Sequence, residues 1–235
     1  MQEINYRVPD ELIARNHKSM ILSLQSSRFT QYGRVIEHLD VQPLIERART
    51  TTPIPQEGNL YVPSVGDLEA FPVARELASY YGNRPIQIGF CNGRNMSMNG
   101  MEYHKSPEIV IAVTDCVLFL CPFASLNEFD TVKTTDAELF YLPKGSVALL
   151  DDKVLHLAPC MVDRKGFQTI IVLPKETNEP LDAEETKQRD ASQDREDRLL
   201  FKKNKWMIAH PERMQLVSQH VHVGLVGDNR VVNPL

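Results

Sequence analysis

The 235-residue chain has no apolar run approaching the roughly 18–20 residues that cross a bilayer as a helix, so no membrane span is expected. It has no basic excess either: 26 Lys and Arg stand against 31 Asp and Glu, a net charge of −5. Nucleic acid is therefore not an expected partner. Close cysteine pairs are also missing. Cys91, Cys116, Cys121 and Cys160 include no Cys-x-x-Cys spacing, which argues against a structural zinc site. All four lie in or beside apolar segments, as buried free thiols in a reducing compartment do. Met1 to Asn5 contains an acid and leads into no apolar core, so it does not read as a secretory signal, and the expected location is cytoplasmic. No internal repeat is evident. What is present is ordinary globular material, 42% hydrophobic and 24% charged, enough to bury a core.

Local patterns divide the chain near residue 84. Pro9 to Ile13 starts like a helix, with proline early and acids in the first turn. Asp40 is placed to cap a second helix running through Ile45 and Arg49. Ser64 or Asp67 starts a third, buried through Leu68, Phe71, Leu77 and Tyr81, with Pro72 as a kink or late start. Residues 1–84 thus read as a helical and mixed extension packed on the β-rich remainder of the chain.

From Pro85 the character changes. Pro85 to Phe90 alternates like a strand, and Cys91-Asn-Gly-Arg94 carries a turn signal. Ile109 to Cys121 reads as two strands across Thr114 and Asp115. Leu139 to Leu142, Val147 to Leu150 and Gln168 to Leu173 read as further short strands. Many short strands between turns predict a mainly β (α+β) protein, with a sandwich or barrel over 85–235. Residues 176–198 are densely charged and read as a solvated helix or loop, or as a lid over a substrate.

The segment from Gly100 to Glu108 carries the chemistry. Glu102, His104 and Glu108 are metal-ligand types at even spacing, so extended backbone puts them on one face, provided the Lys105-Ser-Pro107 bend keeps parity. His156, after Pro143-Lys-Gly145, can join them from a partner strand. Two imidazoles and two carboxylates suit a divalent metal ion such as manganese, iron, zinc, cobalt or nickel. Such an ion polarises a carbonyl and acidifies a neighbouring hydroxyl, and a carboxylate moves the proton. Glu108 and Glu102 are the catalytic candidates.

This pattern resembles the two cupin motifs. In the first, His104 stands at the second histidine, Glu108 at the glutamate, and Glu102 replaces the first histidine. In the second, Pro143-Lys-Gly145 is followed by His156 after a longer gap than usual. The resemblance implies a cupin-type antiparallel β-barrel or jelly roll. Glu102 with His104, and His156 with Pro159, are also similar to YhcH/EbgC-type sugar-metabolism proteins. Over its whole length the chain resembles an uncharacterised bacterial cupin family, through Phe29 to Arg34, Cys91 to Arg94, Met101 to Glu108, Leu155 to Cys160 and Lys203 to Pro211.

Arg94, Asn99, Lys205 and Trp206 are the substrate-binding candidates. Arg94 and Asn99 precede the ligand strand, Lys205 suits a phosphate or carboxylate, and the single tryptophan, Trp206, suits a sugar ring. His220-Val-His222 resembles a second ligand pair, but no carboxylate follows it, and it reads as a strand with one polar face. The expected function is metal-dependent isomerisation or epimerisation of a sugar, sugar phosphate or sugar acid through an enediolate. The alternatives are a metal-dependent lyase on a small hydroxy or ureido acid, and a non-catalytic sugar-binding protein. The expected partner is a small carbohydrate, and a homodimer through strand edges is compatible with the resemblance.

Overall fold

The computed structural model describes residues 4–235; residues 1–3, and with them part of the Met1 to Asn5 reading, lie outside it. In chain order the strands are β1 (Ile21–Ser23), β2 (Gly33–Val35), β3 (Asn59–Val62), β4 (Ile86–Gly93), β5 (Gly100–Tyr103), β6 (Glu108–Ala112), β7 (Cys116–Leu120) and β8 (Val132–Lys133). They continue as β9 (Glu138–Leu142), β10 (Val147–Leu150), β11 (Cys160–Met161), β12 (Phe167–Pro174), β13 (Leu200–Lys202), β14 (Lys205–Ala209), β15 (His222–Val223) and β16 (Leu225–Val226). The helices are α1 (Asp10–Arg15), α2 (Gln42–Thr51), α3 (Gly66–Glu69), α4 (Val73–Ser79), α5 (Ala183–Ala191) and α6 (Met214–Ser218).

Two sheets carry the architecture. One has the order β2-β10-β6-β12-β4-β3 and the other β1-β9-β7-β11. Strand alternation gives each sheet two buried faces. Val110, Ala112, Ala148 and Ile171 of the six-stranded sheet pack against Leu118, Leu120, Phe140 and Leu142 of the other, making the sandwich core. The intervening residues of β6, β10 and β12, such as Ile109, Leu149 and Val172, face outward and are covered by α2, α3 and α4. That two-sided burial is why β6 and β7 read as continuous apolar runs rather than alternating ones. The fold is mainly β, as expected, but the described strands form an open sandwich, not a closed barrel.

The first 84 residues are not merely an appendage. β1 pairs with β9, β2 with β10 and β3 with β4, so this stretch supplies strands to both sheets. Two local expectations are corrected. α2 is capped at Val41 without a side-chain bond, rather than by Asp40, because Pro43 already occupies the first turn. Cys91-Asn-Gly-Arg94 is not a turn: β4 runs through Gly93, and the Asn92 amide bonds Thr52 Oγ1 at 2.9 Å. Gly93 is needed there for close approach, since a Cβ would collide with the Asn59 side chain. The third helix breaks at Pro72 into α3 and α4. Residues 176–198 contain α5, fixed at its start by a reciprocal capping box between Asp182 and Glu185.

A third sheet joins the site to this frame. β13 and β15 share one edge of β14, and β5 takes the other. Residues 155 and 156 stitch it to the β7 sheet. Leu155 exchanges backbone hydrogen bonds with Cys121, and His156 exchanges them with Glu102.

Candidate metal centre

The backbone pairing dictates where the side chains go. Met101 and Tyr103 face an apolar cluster, so Glu102 must project the opposite way, and His104 follows with the same parity. The two-way bridge between Glu102 and His156, with N to O distances of 2.6 and 2.9 Å, places those two residues directly opposite each other. Glu108 begins β6 on the same face as Val110, which belongs to the sandwich core, so its carboxylate enters from the opposing sheet. Thus Glu102, His104, Glu108 and His156, proposed from sequence, meet in one place. The imidazole rings of His104 and His156 lie 5.6 Å apart.

Both imidazoles are aimed by the main chain. His104 Nδ1 donates to the carbonyl of Asn204 at 2.5 Å, and His156 Nδ1 donates to that of Val154 at 2.9 Å. A carbonyl only accepts, so each Nδ1 carries a proton; Nε2 is a lone pair in the neutral ring, while in the metal-free centre His156 Nε2 keeps a proton that it donates to Glu108. One atom each from Glu102, His104 and His156 lie within 4.8 Å of one another, and this buried group can hold a metal ion. His104 Nε2 is buried with no hydrogen-bond partner. Glu108 Oε2 lies 3.3 Å from it and 3.2 Å from His156 Nε2, but only the second contact has hydrogen-bond geometry. An orphaned ring nitrogen and four buried ionisable side chains are a costly way to build a core, and a cation is what that donor set fits.

The electrostatics follow from burial and proximity. Burial pushes the Glu108 carboxyl up, but His156 and the two ring contacts outweigh it and hold it well below the usual carboxylate range. Glu102 is likewise raised by burial, yet the ammonium of Lys205 and the two histidines bring it below its ordinary value. Lys205 lies against Glu102 Oε2 as an ion pair, though that oxygen has no hydrogen-bonding geometry to it. Burial pulls His156 down, while Glu108 and then Glu102 pull it up, leaving it raised to about 9.

A cavity of about 140 Å³ opens onto this cluster between the sheets. Glu102, Glu108, His156 and Lys205 line it, together with Tyr61, Cys91 and Asn178. Among the substrate-binding candidates, the structure brings Lys205 to the site. Trp206 is next along β14 and faces the other way, stacked on Tyr103 with centroids 5.4 Å apart and with Lys105 over its ring. Arg94 is engaged elsewhere, its Nε bonding the carbonyl of Pro55 and its Nη1 that of Arg164. The Asn99 amide donates to Asn95 Oδ1 at 2.7 Å. None of these three lines the cavity.

Sequence reasoning missed Tyr61, Asn178 and Asn204. Asn204 sits in left-handed backbone, φ 51°, in the turn joining β13 to β14. Its carbonyl orients His104, its Oδ1 accepts from Lys105 N, and its amide donates to Ser106 Oγ. The hairpin signal, an asparagine between two short strand-like runs, was present in the sequence. Its contact with His104 was not.

No curated protein matches this chain. Among solved structures, it is similar in part to the oxalate decarboxylase of Bacillus subtilis, a protein with Mn(II) centres. The identity is 9% over 41% of this chain and 23% of that one, with a TM-score of 0.30. It is also similar in part to cocosin, a coconut allergen, at 11% identity over 53% of this chain and 28% of that one, with a TM-score of 0.33. The chain spans about a quarter of the length of these solved proteins. Its own architecture is a β-sandwich of a six-stranded and a four-stranded sheet. Residues 21–230 match a family described as Domain of unknown function (DUF4867), and the chain belongs to that family.

Proposed function

We propose that the protein is a metal-dependent isomerase or epimerase of a small sugar or sugar acid. The observation that carries this reading is the pair of imidazoles, each anchored at Nδ1 by a backbone carbonyl and each turning Nε2 toward the same buried carboxylates. Glu102, His104 and His156 would hold a divalent ion. Bound there, that ion supplies Lewis acidity for a carbonyl and an adjacent hydroxyl.

The remaining roles belong to the chain itself. Glu108 lines the cavity, reaches both ring nitrogens with one carboxylate oxygen and is held ionised, so we assign it the proton transfer from a substrate carbon and back. Lys205 brings a positive charge to the negative charge that develops on an enediolate. Leu118, Val110 and Ile171 are among the apolar residues that line the cavity and limit water. The motif likeness to YhcH/EbgC-type proteins supports a sugar over an unrelated carbonyl compound.

The test is a screen of small aldoses, ketoses and sugar acids in deuterated water with metal-loaded protein. The expected result is product of unchanged carbon skeleton, with deuterium at the carbon next to the carbonyl. Glu108→Gln should keep the metal and lose the exchange. Exchange that survives in Glu108→Gln overturns the role of that residue, and products of changed carbon count overturn isomerisation.

A further inference from the structure

We propose that the cavity selects a small hydroxylated monocarboxylic acid, with its carboxylate on the Lys205 side and a hydroxyl on a subsite formed by Asn178 and Tyr61. This deepens the metal-dependent reading above and rests on it for the charge argument.

The subsite is read from hydrogen-bond accounting. Asn178 lines the cavity, is 6% exposed, and its Oδ1 is buried with no hydrogen-bond partner. Its Nδ2 donates to Tyr61 Oη at 2.8 Å. Because the Tyr61 oxygen accepts there, its own O–H remains to donate, and burial keeps that proton on by raising the phenol above its ordinary pKa. The wall therefore presents one acceptor beside one donor. An alcohol is the complement, since it donates once and accepts as well. Turning the Asn178 amide over exchanges which residue donates and which accepts, but leaves one of each. A second carboxylate has no proton to give the orphaned acceptor, and leaving a buried acceptor bare is costly.

The backbone holds this arrangement. Asn178 has φ 71°, a left-handed conformation that asparagine tolerates better than most residues. Its N–H donates to the Lys203 carbonyl at 3.0 Å, which fixes the side chain against the hairpin that carries Lys205.

Charge and size narrow the ligand further. The carboxylates of Glu102 and Glu108 cancel a divalent ion, leaving the Lys205 ammonium as the net charge of the centre. Among the described residues lining the cavity, Lys205 is the only lysine or arginine. A monoanion balances it, whereas a phosphate dianion overcompensates. The volume of about 140 Å³ is well below the roughly 300–1,000 Å³ of pockets for drug-sized ligands, so the site suits a compound of about four carbons.

The test is calorimetric binding of three three-carbon probes, glycerate, malonate and glycerol, to full-length protein whose metal content is measured in the same sample. Glycerate should bind at least about tenfold more tightly than either of the others. Tyr61→Phe, which keeps the ring, should weaken glycerate about tenfold and leave malonate unchanged. Asn178→Asp, which keeps the shape and adds a negative charge, should weaken both acids. The proposal is overturned if glycerate does not bind, if malonate or glycerol matches it, or if Tyr61→Phe leaves its affinity intact. Selective glycerate binding by protein without metal supports the subsite and defeats the metal reading. Stoichiometric metal without selectivity does the reverse.

Discussion

Glu102-Tyr-His104 and His220-Val-His222 have the same spacing of metal-binding side chains and very different surroundings. The first lies on a strand with neighbours on both edges, His156 on one and β14 on the other. Those neighbours deliver a second imidazole and Lys205 to the same spot. The second follows α6 and is broken by His220, which is exposed and has φ 61°. Parity is lost, and His222 turns its Nε2 to the carbonyl of Asp130 at 2.9 Å and the carboxylate of the same residue at 3.1 Å. Alternation along a strand decides only which face a side chain takes. Convergence needs the adjacent strands to bring donors, and only the first segment has them.

The largest expected effect breaks that contrast directly. Metal at about 100 times its Kd should stabilise the wild type by about 2.7 kcal/mol, and thermal unfolding should show the rise. His104→Ala should abolish the rise, while His222→Ala should keep it. Equal responses in the two variants would erase the distinction between the segments. Of similar size, Glu108→Gln should lower turnover about a hundredfold while the metal stays bound, as steady-state kinetics with metal analysis would show.

A smaller effect is expected from the turn that aims His104. Asn204→Ala removes a side chain that tolerates φ 51° and that ties Lys105 and Ser106 to the hairpin. Its strain should cost about 1–2 kcal/mol of stability, and looser support of His104 should weaken metal about tenfold in a competition titration. Asn204→Gly, which relieves the strain, should recover stability more than affinity.

A pH dependence, graded at about tenfold per unit, sharpens the comparison further. In metal-free protein the raised His156 contributes stability that is full below about 6.5 and lost as pH rises through about 9. Glu108, held low, contributes stability above its ordinary range that is lost on acidification. A metal must displace the His156 proton. Its affinity should therefore rise by about tenfold per pH unit up to about 9, then level, while apo stability declines over the same interval. Calorimetry at several pH values checks both trends, and a flat affinity would remove His156 from the ligand set.

Much of the centre was legible in the sequence because it rests on period-two parity. That rule put Glu102 and His104 on one face, and the same rule also forbids Lys205 and Trp206, neighbours on β14, from both facing the cavity. Reading them together as substrate contacts conflicted with their own strand. Asn92 and Gly93 carried a turn signal that tertiary packing overrode, because Asn92 finds its partners in the segment after α2. Tyr61 and Asn178 were not legible. They are 117 residues apart, belong to unrelated patterns, and are brought together only by the pairing of β3 with β4 and of β4 with β12.

The central claim is that two imidazole nitrogens and a carboxylate bind one ion, and pulsed electron paramagnetic resonance of Mn(II)-loaded protein tests it most directly. The spectrum should show couplings from two nitrogen nuclei, with one lost in His104→Ala and the other in His156→Ala. A spectrum without nitrogen coupling, or one that neither variant changes, would contradict it.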